Sequence, residues 1–555
     1  MTNSGSWASS PKGRVPFRLA GPLPDVPSAY PPLIARLLRR RGIVDADAPR
    51  WFRPAPSDLT PVARWKEAHE MCGHLAGLLS QKRRIHIHGD YDVDGITSTA
   101  ILAAALRRAG GQVTYTIPNR FRDGYGLSLA AVAHAAQQGA QVLVALDCGT
   151  NDAAARTEAV RLGMEMLVLD HHLPGDGADA PGLMINPHLP GCPPSMRHLT
   201  SAGIAFEVAL GLGDFTEKRE NAVSLARLAC LGIAQDVAPL VEDNRIIVKL
   251  GMDNLPTTKN PFLKGLLASS GLAGESLCSQ HLFYRLGPRL NAPGRLEDAS
   301  FLVDLLLEGR EDQVRPGLEK LEQLNRDRQE LQERMTKEAE SQADPDAPCI
   351  IAAGEDWHLG VVGLVAGKLA SRFRRPAFVF SLQKMQARGS GRSVAGISIV
   401  EALQPAAGMF ASFGGHAGAC GLTIARGQWE EAKAGILDAF RRFPPGREEA
   451  GLEAEEEIAL TDLNEETVQF LSAMEPYGPG NPRPAFLARD VEILGEPMPI
   501  GHYGFRLMLR QAGKILPAAY FGGDRLPAFP RPLSPLFGVS RYRGAAQLDL
   551  EGYLS

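Results

Sequence analysis

Between residues 84 and 170 the chain repeats a single pattern. The short apolar runs RIHIHGD, QVTYTIP, VLVALD and EMLVLD alternate with Ala-rich stretches such as TSTAILAAALRRAG and SLAAVAHAAQQG. Runs of four to seven Val, Ile and Leu residues suit buried strands, and the stretches between them suit helices. Strand–helix–strand repetition of this kind predicts an α/β fold on a doubly wound parallel sheet. Three of the four runs end in Asp or lead directly into acidic residues. Ligands of open parallel sheets gather outside the carboxyl ends of the strands, so these acids should converge on one crevice.

The densest of these strand ends is His88-Gly-Asp-Tyr-Asp-Val-Asp-Gly95, with a helix expected to start near Thr97. In an extended segment alternate side chains point the same way, so Asp90, Asp92 and Asp94 could share a face. Like charges crowded in this way are destabilising unless a cation neutralises them. An N-capping turn would explain Asp94 alone, but not a histidine and three acids in so short a span. VLVALDCGTND places Asp147 at a second strand end, and EMLVLDHH places Asp170, His171 and His172 at a third. LGIAQDVAPL adds Asp236 to an otherwise apolar stretch. Singly, Asp147 or Asp236 could cap a helix and the paired histidines could occupy a surface turn. Together they form a mixed oxygen and imidazole set, which suits Mn²⁺ or Mg²⁺ better than a thiolate-bound metal. Cys148 sits beside Asp147 without a cysteine partner in sequence, which argues against a structural zinc site.

A chain of 555 residues has room for three to five domains. Residues 1–55, rich in Pro, Arg and Ser, read as an N-terminal extension with a small helical cap at PPLIARLLRRRG. Residues 56–305 hold the first α/β domain. Residues 306–345 read as a long charged helix with a narrow stripe of Leu318, Leu321, Leu324 and Leu331. A second α/β domain follows over 346–445. After the acidic linker GREEAGLEAEEEIAL, residues 446–555 turn to short strand-like runs, the pattern of a small OB-like β-barrel. With 59 Lys plus Arg against 63 Asp plus Glu the net charge is −4, which excludes a histone-like polycation but not a local basic groove. Seven scattered cysteines with no CxxC pair fit a reducing compartment. No apolar run is long enough to span a membrane, and the N-terminus lacks the apolar core of a secretory signal, so a cytoplasmic location is expected.

DYDVDG, Asp147, the literal DHH at 170–172 and Asp236 resemble the four signature motifs of the DHH phosphoesterase superfamily. GPRLNAPGRLEDAS, WHLGVVGLVAGKL, GSGRS, GGHAGACGL and EPYGPGNPRPAF then resemble, in order, the RecJ exonuclease family, so that the likeness runs from about residue 80 to 490. Departures are small: GIAQDVAPL where a Val-Ala-Asp-Val core is usual, NAPGR for NAAGR, and GACG for GAAG. The resemblance implies a DHH domain joined by the long helix to a DHHA1 domain, and a two-metal phosphodiesterase using Mn²⁺ or Mg²⁺. By motif position it implies Asp147 as the bridge, His88 and Asp92 on one ion, and Asp94, His171 and Asp236 on the other. Asp90 is then a further ligand or an outer orienter, and His172 contacts the scissile phosphate or protonates the leaving oxygen.

Ser390 and Arg392, expected in a Gly-rich loop, could cup a terminal phosphate or lie in a flexible surface loop with an incidental arginine; the resemblance favours the former and implies Arg120 and Arg295 as further phosphate contacts. Gly414, Gly415 and His416 match the DHHA1 substrate motif; by themselves the two glycines read equally well as a tight turn. A pocket for a 5′-phosphate implies digestion of single-stranded DNA from 5′ to 3′ into mononucleotides, and the resemblance implies a role in repair and recombination. A single-strand-binding protein and a RecQ-type helicase are the implied protein partners. Three other readings compete. An oligonucleotide or nucleoside-bisphosphate phosphatase would stop after the second lobe, and an inorganic pyrophosphatase would lack the end pocket. A non-catalytic replication scaffold would have lost ligands that are intact here.

Overall fold

The computed structural model describes the chain except residues 1–5, 11–12, 22, 24–26, 217–221, 308–309, 444–451, 501–503, 522–528, 543 and 555. The start of the expected acidic linker therefore lies outside the described residues. In the first lobe the strands run in the order Gln112–Thr116, Arg84–His88, Val142–Leu146, Glu165–Leu169, Leu183–Ile185, every neighbour parallel. Val142–Leu146 is buried throughout, which is why it reads VLVAL without polar alternation. Ile85, Ile87, Val144 and Leu146 join the core beneath helices Val93–Arg108 and Ser201–Thr216. Leu143, Ala145, Met166 and Val168 meet Val132, Ala135, Ala155 and Ala159 of helices Leu129–Gln137 and Ala153–Arg161 on the opposite face. The sheet is thus doubly wound. Its strand order reverses between Arg84–His88 and Val142–Leu146, and His88 and Asp147 leave the sheet from these two neighbouring strands.

The helix after His88 begins at Val93, earlier than the Thr97 expected. Asp92 caps it, its carboxylate accepting the amides of Asp94 at 2.9 Å and Gly95 at 3.1 Å. The three acids therefore occupy a tight turn and the first helical turn, not an extended segment. Gly95 is required there, because a Cβ would stand 2.5 Å from the backbone nitrogen and oxygen of Asp90.

The connecting helix spans Glu311–Gln342, 32 residues or about 48 Å. Its apolar stripe serves both lobes in turn: Val314 and Leu321 belong to the first-lobe core, Met335 and Ala339 to the second. The second-lobe sheet runs Ser412–His416, Ala419–Ala425, Gln386–Arg392, Ala377–Leu382, Ile350–Glu355, antiparallel except for the last pair. GSGRS is thus a strand at the centre of this sheet, not a loop. Its glycines serve close packing, since a Cβ at Gly389 would stand 2.3 Å from the Phe380 ring and one at Gly391 2.7 Å from Cys420 Sγ. Gly414 and Gly415 likewise lie in the edge strand Ser412–His416 instead of a turn.

The C-terminal region forms a largely antiparallel sheet in which Glu492–Ile500, Gly504–Gln511 and Lys514–Phe521 make a meander and Ser534–Tyr542 pairs with Ala545–Leu554. The described part of residues 1–55 packs on this C-terminal region. Strand Ser6–Ser10 pairs with Ala545–Leu554, and Gly13–Leu19 pairs with Leu452–Ala454. Leu33, Ile34, Leu37 and Leu38 of helix Pro32–Arg40 share a core with Leu507, Leu509 and Phe537. Arg36 and Arg40 pair with Glu456, and Arg41 with Glu455. Arg245 of the first lobe holds this module in place: its guanidinium stacks 3.8 Å from the Trp51 ring and donates to the carbonyls of Trp51, Met474 and Glu475. Among the described residues no helix is long and apolar enough to cross a membrane.

Candidate metal centre

The carboxyl end of the first-lobe sheet gathers the acids and imidazoles into one pocket. Asp90, Asp92 and Asp147 present ligand atoms within 4.8 Å of one another, and so do Asp147, His171 and His172; Asp147 belongs to both groups. Asp147 holds φ at +61°, a left-handed conformation costly for a non-glycine residue and tolerated where the surrounding fold imposes it. Its amide donates to Leu169 O, and its Oδ1 accepts the Ser201 hydroxyl at 3.0 Å and lies 3.3 Å from His171 Nε2. Asp94 Oδ2 and Asp236 Oδ2 each stand 3.9 Å from a His171 ring nitrogen. The Asp94 carboxylate accepts from Thr200 Oγ1 and from the amides of Ser201 and Ala202, anchoring the start of the buried helix Ser201–Thr216. A carboxylate has about four acceptor sites, so three bonds leave capacity for a ligand role. His88, Asp94 and Asp236 lie outside both three-residue groups; His88 is buried at the end of its strand.

Electrostatics mark the pocket as built for cations. Burial first, then the charge of Asp147, pushes the Asp92 carboxyl up to about 7. Asp90 is raised by burial and by Asp92, Asp94 by burial and by Asp147, and Asp236 by burial to about 6. Burial alone would lower His171, but the Asp147 hydrogen bond and the charges of Asp147, Asp236 and Asp94 outweigh it and carry the ring up to about 10. His88 is lowered to about 4 by burial, so it is a neutral imidazole at pH 7, the form that ligates metals. His88 Nε2 and Asp90 Oδ1 are buried with no hydrogen-bond partner among the described residues. Unpaired polar atoms and crowded carboxylates are each costly in a buried site, and a hard divalent cation relieves both. The residues present therefore fit Mn²⁺ or Mg²⁺.

His172 stands half-exposed at the rim of the pocket, a ring nitrogen in reach of Asp147 and His171. Its Nδ1 lies 2.7 Å from Asp170 Oδ1, and its Nε2 lies 2.9 Å from the Tyr125 hydroxyl. Asp170 is pinned by the amides of Thr150, His171 and His172, so it orients the ring and does not face the acid cluster. Burial would lower His172, yet the bond to Asp170 and its charge raise it. Tyr125, Thr200, Ser201 and Asn186, whose amide donates to His172 O, escape the sequence reading. The Thr-Ser pair directly before an apolar helix carries a capping signal, and Tyr125 lies in the same PNRFRDGYG string as Arg120; Asn186 carries no local signal.

The basic candidates meet between the lobes. Arg120 stacks its guanidinium 5.2 Å from the Tyr91 ring, and Arg295 reaches the second lobe through Gly360 O at 3.4 Å. Arg392 Nη1 donates to Ser390 Oγ at 2.8 Å. Burial, followed by the charge of Arg120 and then those of Arg328 and Arg392, outweighs Asp92 and lowers Arg295 to about 10. Like charges held together in a buried cleft call for an anion. Gly414, Gly415 and His416 lie on the exposed edge strand, where His416 Nδ1 accepts the Gly418 amide, and they take no part in the acid cluster.

Comparison with known proteins finds relatives along most of the chain. The DHH family N-terminal domain matches residues 84–233, the DHHA1 domain residues 346–443, and the RecJ OB domain residues 454–549. A single-stranded-DNA-specific exonuclease RecJ of Dickeya dadantii is 34% identical over 529 residues, covering 90% of this chain and 91% of the relative. The crystal structure of RecJ from Thermus thermophilus in complex with Mn²⁺ superposes with a TM-score of 0.82 at 29% identity, covering 97% of this chain and 78% of that one. The Mg²⁺ complex from the same organism gives 0.77 at 27% identity with the same coverage. Matching all three domain models, and 34% identical to one RecJ over 90% of its length, the chain belongs to the RecJ exonuclease family.

Proposed function

We propose that the protein hydrolyses single-stranded DNA from its 5′ end, releasing mononucleotides, in a reaction that depends on two divalent ions, Mn²⁺ or Mg²⁺. The observation that carries this reading is Asp147, the one carboxylate common to both ligand groups at the strand ends. His88, Asp90, Asp92 and Asp147 would hold one ion, and Asp147, Asp94, His171 and Asp236 the other. When bound, the ions supply Lewis-acid activation of water and of the phosphoryl oxygens. His172, held by Asp170 and kept protonatable by that carboxylate's charge, would hold the scissile phosphate and give a proton to the leaving 3′-oxygen. Arg120, Arg295, Arg392 and Ser390 would receive the 5′-phosphate, fixing the strand end and hence the direction of digestion. Gly414, Gly415 and His416 would line the path of the strand on the second lobe, and the C-terminal sheet would bind the strand beyond the cleft.

A single-strand-binding protein and a RecQ-type helicase are the protein partners this role implies. Seven unpaired thiols are what a reducing compartment preserves, which supports work in the cytoplasm. The test gives the purified protein a 5′-phosphorylated strand, the matching duplex, a dinucleotide and pyrophosphate, each with Mn²⁺ or Mg²⁺. The expected result is digestion of the long strand alone, with a 5′ label released before a 3′ label. Rapid turnover of the dinucleotide with the long strand untouched would overturn the proposal.

A further inference from the structure

The helix Gly287–Leu296 lies between the two segments that carry most of the acids, and three of its residues do work that neither the strand ends nor the basic cleft explains. Residues 287, 291 and 294 fall on one helical face. At Gly287 a Cβ would stand 1.8–2.1 Å from the side-chain amide of Gln235, so that amide occupies the space a larger residue would fill. At Gly294 a Cβ would stand 2.2 Å from Tyr91 O, so the same face also presses on the turn that holds Asp90 and Asp92. Between these contacts Asn291 bonds in both directions. Its Nδ2 donates to Gln235 Oε1 at 3.1 Å, and its Oδ1 accepts the Val93 amide at 3.3 Å. Gln235 is fixed from behind, its Nε2 donating to Leu282 O at 3.0 Å in the π-helical turn Leu282–Leu286.

Gln235 immediately precedes Asp236, and Val93 lies between Asp92 and Asp94. Asp236 is followed by Val237 at φ +58°, a conformation a β-branched residue adopts only when its neighbours impose it. We infer that Asn291 and Gln235 are positioning residues that set the spacing between Asp236 and the Asp92–Asp94 turn, and so tune how tightly the site holds divalent cations. The inference rests on the pocket being a metal centre. Residues that orient ligands from behind in this manner typically change metal affinity 10- to 100-fold when removed.

The test titrates Mn²⁺ into the full-length protein and into Asn291→Ala, Gln235→Ala and the double variant, by calorimetry and by the electron paramagnetic resonance signal of free Mn²⁺. Metal-free melting temperatures are recorded beside them. The expected result is Mn²⁺ binding weakened about 10-fold or more in each single variant, with the double variant worse by less than the product of the two, because they share the Asn291–Gln235 bond. At saturating Mn²⁺, KM for a single strand stays put while kcat falls. Mn²⁺ affinity and kcat within twofold of wild type in both single variants would overturn the inference. So would a drop in melting temperature that came without any loss of affinity. Should Asn291→Ala fail to fold, Gln235→Ala decides the matter by the same readouts. Wild-type protein that takes up no Mn²⁺ would defeat the metal-centre reading itself, a distinct outcome.

Discussion

The crowded acids make the metal-free protein sensitive to pH in a direction opposite to that of ordinary salt-bridged carboxylates. The perturbation is a pH series on metal-free wild type and Asp92→Asn. Asp92 has a folded pKa of about 7 against an ordinary 3.8, so between those values the folded state binds more protons than the unfolded one. Stability therefore falls as pH rises through that window, and above it the full cost is felt. The gap is worth roughly 4 kcal/mol. Asp236, raised by burial to about 6, adds a smaller loss of the same sign. His171, raised to about 10 from an ordinary 6.5, contributes stability that is complete below pH 6.5 and fades as pH climbs toward 10, so it steepens the trend. Asparagine caps a helix as well as aspartate does, so Asp92→Asn keeps the bonds to the Asp94 and Gly95 amides while removing the charge. Thermal and urea unfolding of the first lobe are the assays. Metal-free Asp92→Asn should exceed wild type by several kcal/mol at pH 8 and match it near pH 4. Mn²⁺ at a thousandfold excess over its Kd should return about 4 kcal/mol to wild type and much less to the variant. A variant less stable than wild type at pH 8 without metal, or a wild-type profile flat from pH 4 to 8, would refute the reasoning.

Three further outcomes follow from named contacts. Asp147→Ala should cut metal-dependent nuclease activity by a factor of about 10³ or more while circular dichroism and single-strand binding stay near wild type, since it removes the carboxylate common to both ligand groups. If Arg392 receives the 5′-phosphate as proposed, Arg392→Ala should lower kcat/KM about 10- to 100-fold on 5′-phosphorylated strands and leave it unchanged on 5′-hydroxyl strands. Arg245→Ala should cost about 2–4 kcal/mol and expose the junction near Trp51 to limited proteolysis, because the carbonyls of Trp51 and Glu475 lose the guanidinium donor and Met474 O keeps only Asn481 Nδ2.

What can be read from the chain is governed by sequence distance. Strands Val142–Leu146 and Glu165–Leu169 are legible because they are buried on both faces and end in the acids that matter. The long helix is legible because a narrow leucine stripe in a charged background has few other solutions. The helix start reads as Thr97 instead of Val93 because Asp92, one of the three acids of the motif, is itself the cap. GSGRS reads as a loop from its glycines alone; only the Phe380 ring and Cys420, brought up by neighbouring strands, show why a strand would contain them. The pairing of Ser6–Ser10 with Ala545–Leu554 joins opposite ends of the chain, and no local pattern signals it. Asn291 and Gln235 are silent in the sequence for the same reason: their importance lies in a bond across 56 positions.

The most direct measurement is an anomalous difference map at the manganese edge from crystals of this protein soaked in Mn²⁺. Two peaks flanking the Asp147 carboxylate, one on the side of Asp92 and His88 and the other on the side of His171 and Asp236, are expected. A pocket that stays without peaks at saturating Mn²⁺, or peaks that share no carboxylate, would contradict the account.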